Sequence, residues 1–285
     1  MTEAVPQEVG VLGGGRMGSG IAHAFIVAGA QRVTVVEVND DAAAAAHERI
    51  LADLRSSLDR GKISGDLAQW ASVLQVSTDF AVFADCSLVV EAVPEKWELK
   101  VSSLQQVEAH LAETAWLATN TSSMSVTELG NTLRRPERFC GLHFFNPVPA
   151  SKLVEVVRGE RTHSDLPALA RTWVEALGKT PVVVNDAPGF ASSRLGVAIG
   201  LEAIRMVEEG VASAEDIDNA MVLGYKYPIG PLALTDIVGL DVRLGIAEYL
   251  HSTLGERFAP PQLMRDMVAR GELGRKTGKG FYSYE

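Results

Sequence analysis

Cysteine is nearly missing from this chain of 285 residues, which has only Cys86 and Cys140. Two scattered cysteines make neither a disulfide framework nor a metal-ligand spacing. A reducing compartment is expected, and no metal site. No apolar run reaches the ~18 residues that a membrane span requires. The opening "MTEAVPQEVGVLGGG" has no basic n-region and no apolar h-region before its first strand, so no signal peptide and a cytoplasmic location are expected. Positive charge is also in deficit: 26 Lys and Arg stand against 36 Asp and Glu, a formal net charge of -10. That speaks against nonspecific nucleic-acid binding and against docking on anionic membranes. Any anionic ligand must be met by local basic residues or by helix N-termini. There is no internal repeat and no low-complexity tract beyond "DAAAAAH". Hydrophobic residues at 47% and charged residues at 22% suit a soluble globular enzyme.

What is present begins with an alternation. A short apolar strand, Val9 to Leu12, ends in glycines, and a helix follows from about Met17 to Ala28. A β-branched strand, "RVTVVEV", then ends in acid. A helical stretch from Asp41 to about Trp70, broken at "DRGKISGD", reads as an insertion. Further strands are expected at "SLVVEAV", "AWLATN", "RFCGLHFFN", "LVEVVRG" and "TPVVVND", with helices near Lys96–Glu113 and Leu166–Leu177. Strands alternating with helices imply an open α/β sheet covered on both faces. The pattern changes at "NDAPGF". After it come helical stretches near Ala191–Glu209, Ala214–Val222, Pro231–Leu254 and Pro261–Arg270. Two domains follow: residues 1–186, with the helical insertion at about 41–70, and an all-helical domain of residues 187–285. The second would bury little alone, so it is expected to pack on the first, on a second copy, or on both.

"GVLGGGRMGSGIA" contains Gly13-x-Gly15-x-x-Gly18 after a strand, at the opening of a helix and 24 residues before Glu37. Alone the pattern is weak, and a structural glycine turn is the competing reading. In this context it fits a dinucleotide: Gly13 for the tight turn, Gly15 for close approach to a pyrophosphate, Gly18 for helix–strand packing. A carboxylate at Glu37 would accept ribose hydroxyls and repel a 2′-phosphate, favouring NAD over NADP. Arg16 and Arg32 count the other way, since either could pair with a phosphate.

Ligands of such sheets bind outside the carboxyl ends of the strands. "ATNTSSMS" puts Asn120, Thr121, Ser122 and Ser123 at one such end, where they serve equally well to N-cap the next helix. "GLHFFNP" puts His143 and Asn146 at another; taken alone, it is a strand entering the core and stopping at Pro147. In "KLVEVV", Glu155 stands among apolar neighbours, and a buried unpaired carboxylate is very costly. His143, twelve residues earlier on the preceding strand, is the nearby polar partner, reachable through a short connection containing Pro147 and Pro149. A glutamate on one imidazole nitrogen would fix the tautomer and make the other nitrogen more basic. His143 then serves as a base, with Asn146 orienting a ligand.

The stretches "GGGRMGSGIA", "VVEAVPE", "TNTSSMS", "GLHFFNPVPASKLVEVV", "APGF", "DIDNAMVLGYKYPIGPLALTDIVGLD" and "RKTGKGFYSY" together resemble the short-chain L-3-hydroxyacyl-CoA dehydrogenases, 3-hydroxybutyryl-CoA dehydrogenases included. "HFFNP" followed by "KLVEV" is the specific part. The resemblance implies a Rossmann-like NAD-binding domain, a helical domain that dimerises, and an acyl-CoA substrate. It implies that His143 and Glu155 form the catalytic pair and that Ser122 and Asn146 position the substrate oxygen. Met17, Glu95, Lys100, Asn120 and Lys276 fall at cofactor-binding positions. One position departs: the family usually reads "PGF-x-x-N-R", and here Ser193 replaces that asparagine. Serine is shorter and cannot both donate and accept in the same bidentate way. A bridging water, a shifted substrate preference and a weaker enzyme all stay open.

The activity implied is reversible NAD-dependent oxidation of an L-3-hydroxyacyl-CoA. Arg60 and Lys62, at the tip of the helical insertion, are candidates for the anionic part of CoA, against a solvated charged turn. Two other functions compete: a dehydrogenase of a small β-hydroxy acid without CoA, and a dinucleotide-binding protein that has lost catalysis.

Overall fold

The computed structural model describes residues 5–284, in two compact units divided between Asp186 and Ala187. In the first, β1 (Glu8–Leu12), α1 (Arg16–Val27) and β2 (Arg32–Val36) form the expected βαβ start. Then come α2 (Asp40–Asp59), α3 (Leu67–Ala71), β3 (Leu74–Ser77), β4 (Leu88–Glu91), α4 (Trp97–His110), β5 (Trp116–Thr119) and α5 (Val126–Asn131). β6 (Phe139–Phe144), β7 (Leu153–Arg158), α6 (Leu166–Ala176) and β8 (Thr180–Asn185) complete it. One eight-stranded sheet results, in the order β3-β2-β1-β4-β5-β6-β7-β8. The order reverses between β1 and β4, which makes a topological switch point of the kind where doubly wound sheets bind ligands.

The apolar runs predict this burial. Val9, Val11, Val33, Val35, Val90 and Ala118 on the central strands pack with Ile21, Phe25 and Ile26 of α1 in one core. Capping is local and legible: Asn39 Oδ1 accepts the Ala42 N–H at the start of α2, and Asp40 and Asp41 occupy its first turn. Both cysteines are buried and unpaired; burial pushes each thiol up to about 12.

Three features differ from expectation. The stretch after Asp40 is no insertion but a crossover, because the four-residue strand β3 pairs in parallel with β2 behind it. "LQVS" escapes notice because it is short, lies on the sheet edge and is only half-buried. Second, β1 to β6 are parallel, but β7 runs antiparallel to β6, and β8 follows β7. A link of eight residues between β6 and β7 is too short for the helical crossover that a parallel pair requires. Third, Pro231–Leu254 is two helices, since Gly239 at φ 103 breaks the hydrogen-bond ladder.

The second unit has α7 (Ser192–Glu208), α8 (Ala214–Asn219), α9 (Pro231–Val238), α10 (Leu240–Leu254) and α11 (Gln262–Ala269). It carries a core of Val197, Leu201, Ile204, Leu232, Leu250 and Met264. Its last residues return to the buried Asp236, whose carboxylate accepts the Phe281 and Tyr282 N–H groups at 3.0 and 2.9 Å and the Tyr284 hydroxyl at 3.0 Å.

His23 of α1 is buried against α2, with Nε2 2.9 Å from Ser57 Oγ. Burial first, then the charges of Lys179, Arg60 and Lys62, push its imidazole down from 6.5 to about 4. The unfolded chain therefore binds the proton more readily between those values. Stability contributed by neutral His23 is complete above about pH 6.5 and is lost as pH falls toward 4, by up to ~3 kcal/mol. Thermal melts across this window should show the loss, and His23→Gln should reduce the slope. An identical slope in the variant would refute this assignment.

Candidate active site

The glycine turn at the end of β1 is built by close contact. Gly13 sits at φ 89, and a Cβ there would lie 3.0 Å from the Ala92 carbonyl oxygen beyond β4. A Cβ on Gly18 would fall 1.7 Å from the Gly13 oxygen, so helix and strand meet only because that atom is missing. Gly15 is different: nothing stands within 4 Å of its notional Cβ. Its bareness serves nothing inside the protein and suits a group approaching from outside. No side chain caps the N-terminus of α1, and its first turn carries no acid, so its N–H groups and positive dipole end suit a phosphate. Met17, in that first turn, packs its side chain against the core.

Glu37 follows β2 and turns back to this loop. Its Oε1 accepts the Gly14 N–H at 2.6 Å and its Oε2 accepts the Val38 N–H at 3.1 Å. The carboxylate thus braces the turn. Arg49 of α2 donates to the Gly14 carbonyl, and Ser19 Oγ donates to the same oxygen at 2.6 Å. Arg32 is removed from contention as a phosphate partner: it begins β2, at the opposite end of the sheet, and is held by Glu8 at 2.6 Å and Asp85 at 3.1 Å. These groups fit a dinucleotide with free ribose hydroxyls.

Beside the switch point, β4 and β5 end in a network that the sequence reading did not draw. Glu91, 0% exposed, accepts from the Val93 N–H at 2.7 Å, Lys100 Nζ at 2.8 Å and Thr119 Oγ1 at 2.6 Å. Lys100 is 1% exposed, and its ammonium also contacts Glu95 Oε2 at 3.2 Å. Lys100 therefore lies behind Glu95. Glu95 Oε1 in turn accepts the Ser122 and Ser123 N–H groups at 3.0 and 3.2 Å and the Thr121 hydroxyl at 2.5 Å. Burial works against ionisation of Glu95. The Lys100 charge, the Thr121 hydroxyl and the Ser122 N–H outweigh it and hold the carboxyl below its ordinary value. A chain of charges from Glu91 through Lys100 to Glu95 so fixes the loop that carries the exposed Ser122. Ser125, just beyond, caps α5 by accepting the Glu128 N–H, so this segment both presents polar groups and starts a helix. Glu91 was detectable by the signal that marked Glu155, a glutamate inside an apolar strand.

β6 supplies the next groups. Asn120 Oδ1 accepts the Phe144 N–H at 2.8 Å and ties the end of β5 to β6. The antiparallel register places His143 directly across from Glu155. His143 Nδ1 lies 2.8 Å from Glu155 Oε2, with the two residues 6% and 1% exposed. With Nδ1–H donating to the carboxylate, Nε2 carries the lone pair. The Phe145 ring lies 4.4 Å from the imidazole, centroid to centroid, and Asn146 follows in the exposed connection. Histidine, asparagines and Ser122 thus gather at the carboxyl edge of β5 and β6.

Other candidates lie on other elements. Arg60 and Lys62 are exposed just past α2, on the side of His23 and Lys179. Ser193 is in the first turn of α7 and Lys276 in a turn near the end of the second unit, where its Nζ meets both oxygens of Asp241 at 2.5 and 2.7 Å.

A doubly wound sheet with this turn and this acid defines a dinucleotide-binding protein. Two family models match the chain: 3-hydroxyacyl-CoA dehydrogenase, NAD binding domain, over residues 8–187, and its C-terminal domain over residues 189–284. The chain belongs to the 3-hydroxyacyl-CoA dehydrogenase family, and it is an NAD-dependent dehydrogenase. It is 41% identical over 278 residues to a probable 3-hydroxybutyryl-CoA dehydrogenase of Deinococcus radiodurans, covering 96% of this chain and 99% of that one. It is 39% identical to the mitochondrial hydroxyacyl-coenzyme A dehydrogenase of Homo sapiens, over 99% of this chain and 92% of the relative. The crystal structure of (S)-3-hydroxybutyryl-CoA dehydrogenase from Ralstonia eutropha matches with a TM-score of 0.93 at 39% identity, covering 98% of this chain and 99% of that one.

The position of Glu37 predicts a cofactor preference. Like charges brought together cost several kcal/mol, so kcat/KM with NADH should exceed that with NADPH by about 10²-fold or more. Glu37→Gln should narrow the gap. Equal use of both cofactors by the unaltered protein would remove Glu37 from this role.

Proposed function

We propose that the protein interconverts short-chain L-3-hydroxyacyl-CoA, such as 3-hydroxybutyryl-CoA, and the corresponding 3-ketoacyl-CoA, with His143 and Glu155 as the base pair. The observation that carries the reading is the 2.8 Å contact of His143 Nδ1 with the buried Glu155 carboxylate. The printed names of the relatives support the substrate class. NAD, when bound, supplies the hydride acceptor for C3.

The residues act on the proton and on the oxygen. His143 takes the hydroxyl proton at Nε2 as the C3–H bond breaks and the C3–O bond becomes double. Glu155 fixes the tautomer and stabilises the imidazolium that forms. Ser122 and Asn146 hold the substrate oxygen as it changes from alcohol to ketone. Glu95, with Lys100 and Glu91 behind it, keeps Ser122 in place, and Asn120 ties the end of β5 to β6. Met17 and the glycines form the pyrophosphate cradle, and Lys276 is a further candidate for a cofactor contact. In the reducing direction the same groups run in reverse. Arg60 and Lys62, exposed cations on a chain of net charge -10, suit the anionic part of CoA. That favours a CoA ester over a free β-hydroxy acid. A buried glutamate held against a histidine argues against a chain that has lost catalysis, because the pair costs stability that a purely structural strand would avoid.

The protein is further proposed to be a cytoplasmic homodimer joined through the second unit. Two buried free thiols suit a reducing compartment. Among the described residues, eight of the twelve large apolar side chains left exposed lie in the second unit, Leu223 and Tyr225 foremost at 68% and 75%.

Turnover of acetoacetyl-CoA with NADH is the direct assay. His143→Ala and Glu155→Gln should each lower kcat by about 10²–10⁴-fold with little change in NADH affinity. The double variant should lose far less than the product of the single effects, since the two residues work as a unit. Full activity in Glu155→Gln, or strictly multiplicative losses, would place the base elsewhere. Light scattering at micromolar concentration should give twice the mass of one chain; a strictly monomeric mass would overturn the dimer.

A further inference from the structure

Asn146 stands exposed in the connection of residues 145–152 between β6 and β7, and its side-chain amide makes no hydrogen bond with any described residue. Where that amide points is therefore left to the backbone that carries it. The connection makes a turn of its own: the Pro147 carbonyl accepts the Ala150 and Ser151 N–H groups at 3.0 and 2.9 Å. Two further grips come from other elements of the first unit. Val148 is 2% exposed and lies on α1, where a Cβ on Gly20 would fall 2.7 Å from the Val148 Cβ. The other grip is a buried ammonium. Lys179 Nζ donates to the Val148 and Ser151 carbonyls, at 2.6 Å each, and so draws both to one point.

The main chain fixes where Lys179 starts. α6 is closed by Gly178 at φ 70. The Gly178 N–H reaches the Glu175 carbonyl at 2.9 Å, and the Lys179 N–H reaches the Val174 carbonyl at 3.2 Å. These paired bonds end a helix on a left-handed residue. Thr180 then enters β8 beside Leu153, the first residue of β7. The base of the lysine is thus set by a helix end and a strand pair, and its side chain extends to the connection that precedes β7.

Such a placement is a poor choice for stability alone. Lys179 is 9% exposed and pairs with no described acid. Burial first, then the charge of Lys62, pull its ammonium below its ordinary value. A buried cation without a counter-charge is costly. Arg243 of α10 is the comparable case in the second unit: 7% exposed, met by no described acid, donating to the Gly196 carbonyl of α7 and lying where Cβ atoms on Gly196 and Gly200 would crowd it. Arg243 ties one helix to another. Lys179 ties down the segment that carries Asn146.

We propose that Lys179 is a positioning residue for the reaction: its grip on the Val148 and Ser151 carbonyls sets where Asn146 presents its amide to the substrate oxygen. This rests on the function proposed above, and the test separates the two. Turnover of acetoacetyl-CoA with NADH, and NADH affinity by fluorescence titration, are measured for Lys179→Met, Asn146→Ala and Ser122→Ala. The two double variants that combine Lys179→Met with each of the others complete the set. Lys179→Met should lower kcat by about 10–10²-fold, the scale of a small misplacement of a group at the reacting centre, with NADH affinity unchanged. In the Asn146→Ala background the same change should cost little more, since the residue being placed is gone. In the Ser122→Ala background it should cost its full factor, because the Ser122 loop is held separately by Glu95. Lys179→Arg, which can still donate to both carbonyls, should recover much of the loss.

A lysine that only stabilised the fold would cost the same in every background. Unchanged kcat in Lys179→Met, a full further loss in Asn146→Ala, or a parallel fall in NADH affinity would overturn the assignment and leave the dehydrogenase reading intact. If Asn146→Ala alone keeps full kcat, Asn146 does not hold the oxygen, and the role of Lys179 falls with it. No turnover of acetoacetyl-CoA by the unaltered protein would sink the function itself. Should Lys179→Met fail to fold, the same comparison made with Lys179→Gln, which keeps an N–H donor on a shorter arm, decides.

Discussion

A carboxylate placed inside a sheet has to be answered, and the answer organises the first unit. Glu155 is carried on β7 among valines, and nothing in its own strand can meet its charge. Only an antiparallel neighbour in one register sets His143 opposite it. A slip of one residue in either strand would turn one of the two side chains to the other face and leave a buried charge unmatched. The reversal of β7 against an otherwise parallel block is thus tied to the chemistry: it draws an imidazole from β6 and a carboxylate from β7 into one pair at the sheet's carboxyl edge.

The same device appears a second time with a different purpose. Glu91 ends β4 fully buried, and its charge is met by Lys100, which is itself shared with Glu95. Here the carboxylate positions rather than reacts: its order passes through an ammonium to the loop bearing Ser122. The chain has an excess of acid, yet two of its buried cations, Lys100 and Arg243, are held in opposite ways. One is matched on two sides by carboxylates, and the other is matched by none.

Much of this was legible in the amino-acid order because the signals are local. The glycine spacing, the acid after β2, the break at Asp186 and the glutamate among valines each follow from backbone sterics or the cost of burial. What escaped is non-local or weak. β3 has four half-buried residues on an edge, too few to show a period. The direction of β7 depends on the length of a connection, which propensity does not encode. Lys100 reads as a surface lysine on an amphipathic helix until Glu91 and Glu95 are seen converging on it. Arg243 looks like any helical arginine, and only the two glycines on α7 reveal that it has been drawn inward.

The two buried thiols have a practical consequence. With Cys86 and Cys140 both raised to about 12 by their surroundings, the thiolate fraction near neutrality is on the order of 10⁻⁵. Alkylating reagents and peroxide therefore find almost no nucleophile in the folded protein. A single cysteine introduced on the surface would be the one reactive sulfur. A spectroscopic label could then be put in either unit with the native residues left in place.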